Sequence, residues 1–170
     1  MLESGMARNL RVIPTTIREA NEFIRNHHRH HRPTARNSGK WALAALDVDD
    51  HVVGVLIAAS PVSAAYMDGL TLEVSRLCVV ANAPKGTCSY LLSKCCAVWR
   101  LMGGRRVLTY TLQSETGASL RCAGWVLAGS VKPHKRWEGK SRCDGIQREP
   151  LAIYQVPKYR WEKNLREATL

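Results

Sequence analysis

The fold is decided by residues 71–112, which read TLEVSRLCVVANAPKGTCSYLLSKCCAVWRLMGGRRVLTYTL. Residues 70–80 are rich in apolar and β-branched side chains and predict a long strand. A loop with proline and glycine follows at 81–87, and apolar residues then recur three and four apart over 88–102, which predicts a helix. Residues 107–112 predict the next strand. Because a crossover helix joins parallel strands, this unit predicts a parallel pair.

The segment before this unit predicts a helix and antiparallel strands. Three further strands are predicted, at 10–14, Trp41–Leu46 and Val52–Ala59. The short turn DVDDH between the last two predicts a hairpin, so the whole sheet is expected to be mixed. Thr16 with Glu19 three residues later forms a capping box, and the helix that it opens is expected to end before Pro33.

The segment after the unit has less regular patterns. Residues 115–125, ETGASLRCAGW, predict a helix with unusually small side chains. Residues 126–170 are basic and aromatic with weak periodicity, and we expect them to form an irregular end of the same domain. The fold class predicted from the order of elements is α/β (α+β), in a single domain over residues 1–170.

Composition and charge restrict the function. A chain of 170 residues with 45% hydrophobic content suits one globular domain. A net charge of +11 favours a polyanionic partner, most often nucleic acid, although a basic surface alone is the alternative. No apolar run reaches ~18 residues and the first residues do not form a signal peptide, so a cytoplasmic protein without a membrane partner is expected.

The cysteines do not form a metal or disulfide pattern. None of them make a C-x-x-C pair, and several lie in apolar periodic segments, which favours reduced thiols that act as small core residues. A disulfide or metal framework is the alternative. The six positions are Cys78, Cys88, Cys95, Cys96, Cys122 and Cys143.

Two segments resemble the signatures of the GNAT N-acetyltransferase superfamily. Residues 83–88, APKGTC, resemble the family loop R/Q-x-x-G-x-G/A, with Gly86 retained and the first residue replaced by Ala83. Residues 113–125, QSETGASLRCAGW, have the length of the later signature that runs from Asn through Tyr to Gly-Phe. The resemblance implies a GNAT-like, mostly antiparallel mixed sheet flanked by helices, and an acyl-CoA, such as acetyl-CoA, as co-substrate.

The resemblance also implies which residues contact the acyl-CoA. A glycine loop that opens a helix suits pyrophosphate, because backbone N–H groups and the helix dipole converge there. The small residues Gly117, Ala118 and Ser119 would leave room for the pantetheine arm, and close packing of helix on sheet is the alternative. The implied contact residues are Leu77, Cys78, Val79, Lys85, Gly86, Thr87, Cys88, Ser89 and Ser114.

A narrower resemblance covers most of the chain. The segments NHHRHHRP, TLEVSRLCV, TYTLQSETGASLRCAGW and KYRWE are similar to a group of GNAT-like proteins carried by phages and mobile elements. This group is distantly similar to the phage Mu Mom protein, which modifies adenine in DNA. The resemblance implies a role in DNA modification and, if the chain is phage-encoded, a location in the host cytoplasm.

Glu73 is the first candidate for a general base. It lies between Leu72 and Val74 on the long predicted strand, where a carboxylate acquires a raised pKa, and the resemblance implies a base on this strand. An ion pair with Arg76 or a solvent-facing position are the alternatives. Arg76 is also a candidate for holding an anionic group of the substrate.

Histidines at the end of the first predicted helix are the second candidates. The stripe Ile17, Ala20, Ile24 continues on the same face as His27, His28 and His31. His27 or His31 would serve as base because imidazole titrates near neutrality, and His28 would contact substrate; an exposed helix end is the alternative. The spacing also occurs in metal sites, but no acidic ligand follows at a diagnostic position, so no metal is expected.

The proton donor and the remaining substrate contacts are less defined. The resemblance aligns Leu120 with the tyrosine that many GNAT enzymes use as general acid, so Ser119, Tyr110 or a water are the candidates here. Trp125 and Trp137 are candidates for substrate contact. Basic residues alternate with aromatic ones over 132–161 and suit phosphate contact with base stacking, although tryptophans that cover the core edge are the alternative.

Two functions from different classes follow. The first is an N-acyltransferase that uses acetyl-CoA and acts on an amine, either a nucleobase in DNA or an aminoacyl group on RNA. The second is a nucleic-acid-binding module on the same scaffold without transfer chemistry. The sequence defines neither the acyl group nor the oligomeric state.

Overall fold

The computed structural model describes residues 9–27, 33–34, 38–133 and 155–165. Within these residues the strands form one sheet in the order β1-β2-β3-β4-β5-β7-β6. The strands are β1 Arg11–Thr15, β2 Trp41–Leu46, β3 Val52–Ala59, β4 Thr71–Val79, β5 Arg106–Leu112, β6 Val126–Val131 and β7 Lys158–Asn164. The helices are α1 Ile17–His27, α2 Thr87–Leu101 and α3 Ala118–Cys122, with a short 3₁₀ turn at Ala64–Tyr66.

The predicted mixed sheet is confirmed. Strands β4 and β5, joined by α2, are parallel, and the other neighbouring pairs are antiparallel. The predicted hairpin is formed by β2 and β3. The fold is therefore a mixed α/β arrangement with a mostly antiparallel sheet and a central β-α-β unit.

Helices cover the two faces of the sheet differently. On the face that we call the α1 face, Ala20 and Ile24 of α1 pack in a small core with Val55, Ile57 and Cys78. On the opposite α2 face, α2 and α3 pack in a larger core that extends across the sheet to Trp161 on β7. The apolar stripe predicted for α1 is thus confirmed at Ala20 and Ile24.

The described residues of the C-terminal part, 126–133 and 155–165, are not irregular, as the sequence predicted, but contribute the strands β6 and β7. Strand β7 lies between β5 and β6, and its register pairs Thr109 with Trp161 and Tyr110 with Arg160. The prediction was wrong because β7 reads KYRWEKN, in which Trp161 is the fully buried residue and charged residues surround it. Such a strand has little of the apolar alternation that identifies strands in a sequence.

The helix predicted at 115–125 is shorter than expected. It spans Ala118–Cys122 and begins after Gly117, whose φ is +65°. A Cβ at Gly117 would lie 2.3 Å from the Trp161 ring, so this glycine allows close packing of α3 on the sheet. The absence of a side chain at Gly117 is therefore explained by close packing of helix on sheet. This was the alternative to leaving room for the pantetheine arm.

The prediction of core thiols is confirmed for three of the five described cysteines. Cys78, Cys95 and Cys96 are buried and free, Cys88 is half-buried and Cys122 is exposed, while Cys143 lies outside the described residues. Burial raises the pKa of the Cys78 and Cys96 thiols to about 11. Among the described helices, none combines the length and apolar character that a bilayer crossing requires.

Candidate active site

The parallel strands β4 and β5 separate at the centre of the sheet. Their pairing joins Thr71–Glu73 to residues 106–108, although β4 continues to Val79. The other edge of β4 stays paired with β3 as far as Val79, and the Thr109 hydroxyl donates to the Val74 carbonyl at 2.9 Å across the opening. Beyond Glu73, one backbone edge of β4 thus has no paired strand among the described residues, and we call this opening between β4 and β5 the cleft.

A bulge in β4 decides which side chains share a face. The register with β3 pairs Ile57 with Arg76 but Ala58 with Val74, so Ser75 is the extra residue. Its hydroxyl donates to the Ile57 carbonyl at 3.1 Å. Because of this added residue, Glu73 and Arg76 both lie on the α1 face although they are three apart.

Glu73 is a buried carboxylate at the point where the strands separate. Its neighbours Leu72 and Val74 belong to the larger core, so strand alternation directs Glu73 to the α1 face, where it is 7% exposed. The Val62 amide donates to its Oε2 at 2.9 Å. Burial raises the pKa of Glu73 above 4.5, and the Val62 amide, Arg76 and Lys158 offset part of that shift.

Strand β7 brings residues to Glu73 that the sequence did not indicate. Lys158 pairs with Leu112, and Arg160 pairs with Tyr110, all on the α1 face. Burial, followed by the charge of Arg76, lowers the pKa of Lys158, whereas Glu73 raises it. No local signal identified Lys158 as a site residue, because its proximity to Glu73 depends on the insertion of β7 beside β5.

Tyr110 also lies close to this carboxylate. Burial raises the pKa of its phenol to about 12, and the charge of Glu73 contributes to the shift. The structure therefore brings together Glu73, Arg76 and Tyr110 from the predicted candidates and adds Lys158.

The start of α2 lies at the end of β4 and the loop after it. Gly86 is the N-cap residue, with a left-handed φ of 94°, and no side chain caps the helix. The Thr87 amide and hydroxyl donate to the Pro84 carbonyl at 3.2 and 2.6 Å, which fixes the turn. Since the first N–H groups of a helix have no partner within it, the amides of Cys88 and Ser89 are available to an anion.

Cys88 and Ser119, two of the predicted site residues, lie close to each other at the start of α2. Cys88 is half-buried, and burial raises the pKa of its thiol, while a hydrogen bond with the Ser119 side chain offsets part of the shift. Ser119 therefore lies beside the start of α2 on the α2 face. Lys85 is exposed in the loop, and Ser89 donates its hydroxyl to the Gly86 carbonyl at 2.9 Å.

The remaining cofactor candidates occupy different surroundings. Leu77 and Val79 pack against the larger core and Cys78 in the smaller one, so their backbone, and not their side chains, borders the cleft. Ser114 is exposed in the turn after β5. Leu120 is 5% exposed in the larger core, so the position that aligns with a tyrosine is filled by packing.

Two tryptophans that were considered for ligand contact belong to the core. Trp125 is 3% and Trp161 1% exposed, both in the larger core, where neither is accessible to a substrate or a base. The structure therefore does not support Trp125 as a substrate contact, and for Trp161 it supports the alternative, a tryptophan that covers the core. Trp137 lies outside the described residues.

The histidine cluster is described only at its first member. His27 is the last residue of α1 and is exposed, and its ring contacts the Phe23 ring in a tilted arrangement with 4.5 Å between centroids. His28 and His31 lie outside the described residues.

One group of possible metal ligands occurs in the described part of the chain. Asp47, Asp49 and His51 lie in the turn between β2 and β3. The Asp47 carboxylate accepts hydrogen bonds from the Asp49 and His51 amides at 3.0 and 2.9 Å, so it builds the turn. Asp49 and His51 are exposed and Asp47 is half-buried, and no further ligand joins this group among the described residues.

No protein-family model and no curated protein matches the chain. Solved structures match it over nearly its whole length. An IAA acetyltransferase from Bacillus cereus has a TM-score of 0.65 at 15% identity, over 92% of this chain and 99% of that protein. A Bacillus subtilis acetyltransferase in complex with CoA has a TM-score of 0.64 at 15% identity, with the same coverage.

A third structure carries the family name. The GNAT superfamily phosphinothricin acetyltransferase from Sinorhizobium meliloti, in complex with AcCoA, has a TM-score of 0.63 at 17% identity, over 92% of this chain and 89% of that protein. At such identities the likeness concerns the fold alone. The chain therefore has the fold of the GNAT acetyltransferases.

Proposed function

We propose that this protein is an acyl-CoA-dependent N-acyltransferase that transfers an acetyl group to an amine. The observation that carries the proposal is the cleft between β4 and β5, with buried Glu73 at its closed end. The uncapped start of α2 completes the arrangement. Two structures with this fold are described in complex with CoA or AcCoA, which supports the same co-substrate here.

The residues present fit an acyl-CoA. The amides of Cys88 and Ser89 and the positive end of the helix dipole suit its pyrophosphate, and Gly86 lets the backbone approach. Exposed Lys85 adds a positive charge. The backbone of Leu77, Cys78 and Val79 offers the hydrogen-bonding edge for an extended pantetheine arm, as an added strand would use it.

Acetyl-CoA supplies the acyl thioester, and the chain supplies the proton transfers and orientation. Glu73 accepts the proton of the attacking amine as its nitrogen bonds to the carbonyl carbon and the carbon–sulfur bond breaks. Backbone N–H groups on the open edge of β4 stabilise the oxyanion. We assign the proton returned to the thiolate to Ser119, which lies beside the start of α2, and the orientation of the amine to Tyr110 beside Glu73.

The pH dependence follows from the burial of Glu73. Only its ionised form accepts a proton, and its pKa is raised above 4.5, so kcat/KM falls as the pH is lowered through that raised value. In the Glu73→Gln variant, kcat/KM is expected to be about 10²–10⁴-fold lower than in wild type. Its fall at low pH should also be absent. His27→Ala, at the exposed end of α1, tests the second candidate, and equal rates for wild type and both variants would contradict the assignment.

Binding of acetyl-CoA is the primary test. Calorimetry with wild-type protein is expected to give saturable binding, and assays of CoA release with amines then test transfer. If no CoA compound binds at millimolar concentration, the enzyme proposal is wrong. The alternative, a binding module, is favoured by Ala83 and Leu120, which stand where the family motifs have Arg or Gln and Tyr.

We further propose that the acceptor amine belongs to a nucleobase in DNA. The support is the net charge of +11 together with the basic α1 face of β7. Binding to duplex DNA is expected to weaken with salt. The logarithm of the binding constant should fall against the logarithm of the salt concentration with a slope of about −0.9 per phosphate contact. Incubation with DNA and acyl-CoA should then give a nucleoside of increased mass after digestion, and aminoacyl-tRNA is the comparison substrate. Binding without mass change for either would favour the binding module.

A further inference from the structure

A threonine hydroxyl lies at the closed end of the cleft, where β4 and β5 stop pairing. The pairing ends with Glu73 opposite Leu108, so Val74 and Thr109 are the first residues beyond it. The Thr109 hydroxyl donates to the Val74 carbonyl at 2.9 Å, and Thr109 and Val74 are 9% and 4% exposed. A side chain therefore supplies the hydrogen bond that a backbone N–H of β5 would supply if the parallel pairing continued.

This bond sets the distance between the two strands next to Glu73. Val74 is buried, and a buried carbonyl without a hydrogen-bond partner is unfavourable. Without the hydroxyl, the carbonyl would lose its partner or take a backbone N–H from β5, and the second outcome would bring the strands together. The hydroxyl satisfies the carbonyl without backbone pairing, so the bond is compatible with separated strands.

The opposite edge of β4 is held by a second hydroxyl. Ser75, the extra residue of the bulge, donates its hydroxyl to the Ile57 carbonyl on β3 at 3.1 Å. Val74 and Ser75, the two residues that follow Glu73, are thus bonded to the strands on both sides. Since Glu73 adjoins Val74 in the chain, a shift of this segment would move the carboxylate and the open edge of β4 together.

A second threonine on β5 provides a comparison. Thr111 lies two residues from Thr109 and so shares its face of the sheet. Its hydroxyl oxygen accepts a hydrogen bond from Trp161 Nε1 on β7 at 3.0 Å. Both threonines are hydrogen-bonded through their hydroxyls, but the Thr109 bond spans the cleft, whereas the Thr111 bond joins two strands that are paired.

We propose that Thr109 is a positioning residue, whose hydroxyl holds β4 apart from β5 and thereby keeps the open edge of β4 and the Glu73 carboxylate in place for the acyl-CoA. The proposal rests on the proposed function and adds to it a residue that acts through β4. It predicts that the hydroxyl, and not the shape of the side chain, controls the affinity for acetyl-CoA.

The test compares Thr109→Val, which keeps the branched shape and removes the donor, with Thr109→Ser, which keeps the donor. By calorimetry, Thr109→Val is expected to bind acetyl-CoA about tenfold more weakly than wild type, as for the loss of one hydrogen bond. Thr109→Ser should restore the affinity. In transfer assays, Thr109→Val should also have a lower kcat, because Glu73 shifts with the strand.

Thr111→Val is the matched control, because it makes the same substitution on the same strand and face. It removes the acceptor of Trp161 Nε1 and should lower the thermal unfolding temperature, while the affinity for acetyl-CoA stays at the wild-type level. Equal loss of affinity in Thr111→Val and Thr109→Val would reflect general destabilisation and would overturn the proposal. If Thr109→Val does not fold, Thr109→Ala and Thr109→Ser form a second pair that differs by the hydroxyl oxygen alone.

Hydrogen exchange of the amides of residues 75–79 separates this proposal from the function on which it rests. Without ligand, exchange over this segment should differ from wild type in Thr109→Val and not in Thr109→Ser. If wild type binds acetyl-CoA and Thr109→Val binds it as tightly, Thr109 has no positioning role and the acyltransferase proposal stands. If wild type binds no CoA compound, the proposed function fails, and the exchange measurement still decides whether Thr109 positions β4.

Discussion

Helices α1 and α2 begin in opposite ways. At the start of α1, the Thr16 amide donates to Glu19 Oε2 at 2.9 Å and the Glu19 amide donates to Thr16 Oγ1 at 3.1 Å. The hydroxyls of Thr15 and Thr16 donate to the same Glu19 oxygen at 2.9 and 2.7 Å. At the start of α2, Gly86 offers no side chain, and no side-chain cap is made.

The difference separates a structural helix start from one that is open to a ligand. A side-chain cap stabilises a helix by about 1 kcal/mol, so α2 forgoes that contribution in the absence of a ligand. An anion bound at α2 would accept hydrogen bonds from the first amides of the helix, whereas at α1 the Thr16 hydroxyl and the Glu19 carboxylate already accept such bonds. The comparison predicts that changes at α2 alter ligand binding and that changes at α1 alter stability alone.

The largest effect is expected from Gly86→Val. A β-branched residue is strained at the φ of 94° that Gly86 adopts, and its side chain would stand where the pyrophosphate approaches. Loss of charge-assisted hydrogen bonds should weaken acetyl-CoA binding by about 100-fold or more, measured by calorimetry. Gly103→Val is the control, because Gly103 has a φ of +86° at the other end of α2, with no atom within 4 Å of an added Cβ. Equal weakening in both variants would refute the role of the α2 start.

A smaller effect is expected from Ser89→Asp, which gives α2 the negative charge that α1 already has. The carboxylate should stabilise the fold by about 0.3–1 kcal/mol through the helix dipole, while it repels the pyrophosphate and weakens acetyl-CoA binding by about tenfold. Ser89→Ala removes the hydroxyl that donates to the Gly86 carbonyl without adding charge, and it separates the two causes. Tighter binding in Ser89→Asp would contradict an anion site.

Both helix starts could be predicted from the sequence because their signals are local. The Thr16–Glu19 spacing and the Gly86 loop lie within a few residues of the groups that they affect. Glu73 was identified in the same way, since it is a carboxylate within an apolar strand. The parallel pair β4–β5 followed from the strand–helix–strand order alone.

The basic residues near Glu73, Arg76 and Lys158, could not be predicted to lie together, because their strands are distant in the chain. Lys158 approaches Glu73 only because β7 inserts beside β5, which no local pattern specifies. The bulge at Ser75 places Arg76 on the same face as Glu73, whereas strict alternation would place it on the opposite face. The alternatives for Trp161 stayed open for a related reason: its basic neighbours in the sequence do not reveal that its side chain faces the core.

Thr16→Ala is expected to act on stability alone. It removes the hydroxyl that accepts the Glu19 amide and should lower the free energy of unfolding by about 1 kcal/mol, measured by chemical denaturation. Acetyl-CoA binding should not change. Ser63→Ala is the control, because Ser63 stands at the N-cap of the 3₁₀ turn without a side-chain cap bond and should contribute little. A large change in acetyl-CoA affinity for Thr16→Ala would mean that the two helix starts are not independent.

The smallest effect is the pH dependence of the α1 cap. Hydrogen bonds from the Thr16 amide, the Thr16 hydroxyl and the Thr15 hydroxyl lower the pKa of Glu19 from 4.5 to about 2. Because the folded-state pKa is depressed, the stability that Glu19 contributes is present above pH 4.5 and is lost as the pH falls towards about 2. The difference in unfolding free energy between wild type and Glu19→Gln should therefore be constant near neutrality and shrink through this window. The other carboxylates titrate in both proteins, so their contributions cancel in the difference. Glu22→Gln is the control, because it removes one negative charge from the same helix. A difference that stays constant down to pH 2 would show that the carboxylate charge of Glu19 does not stabilise the start of α1.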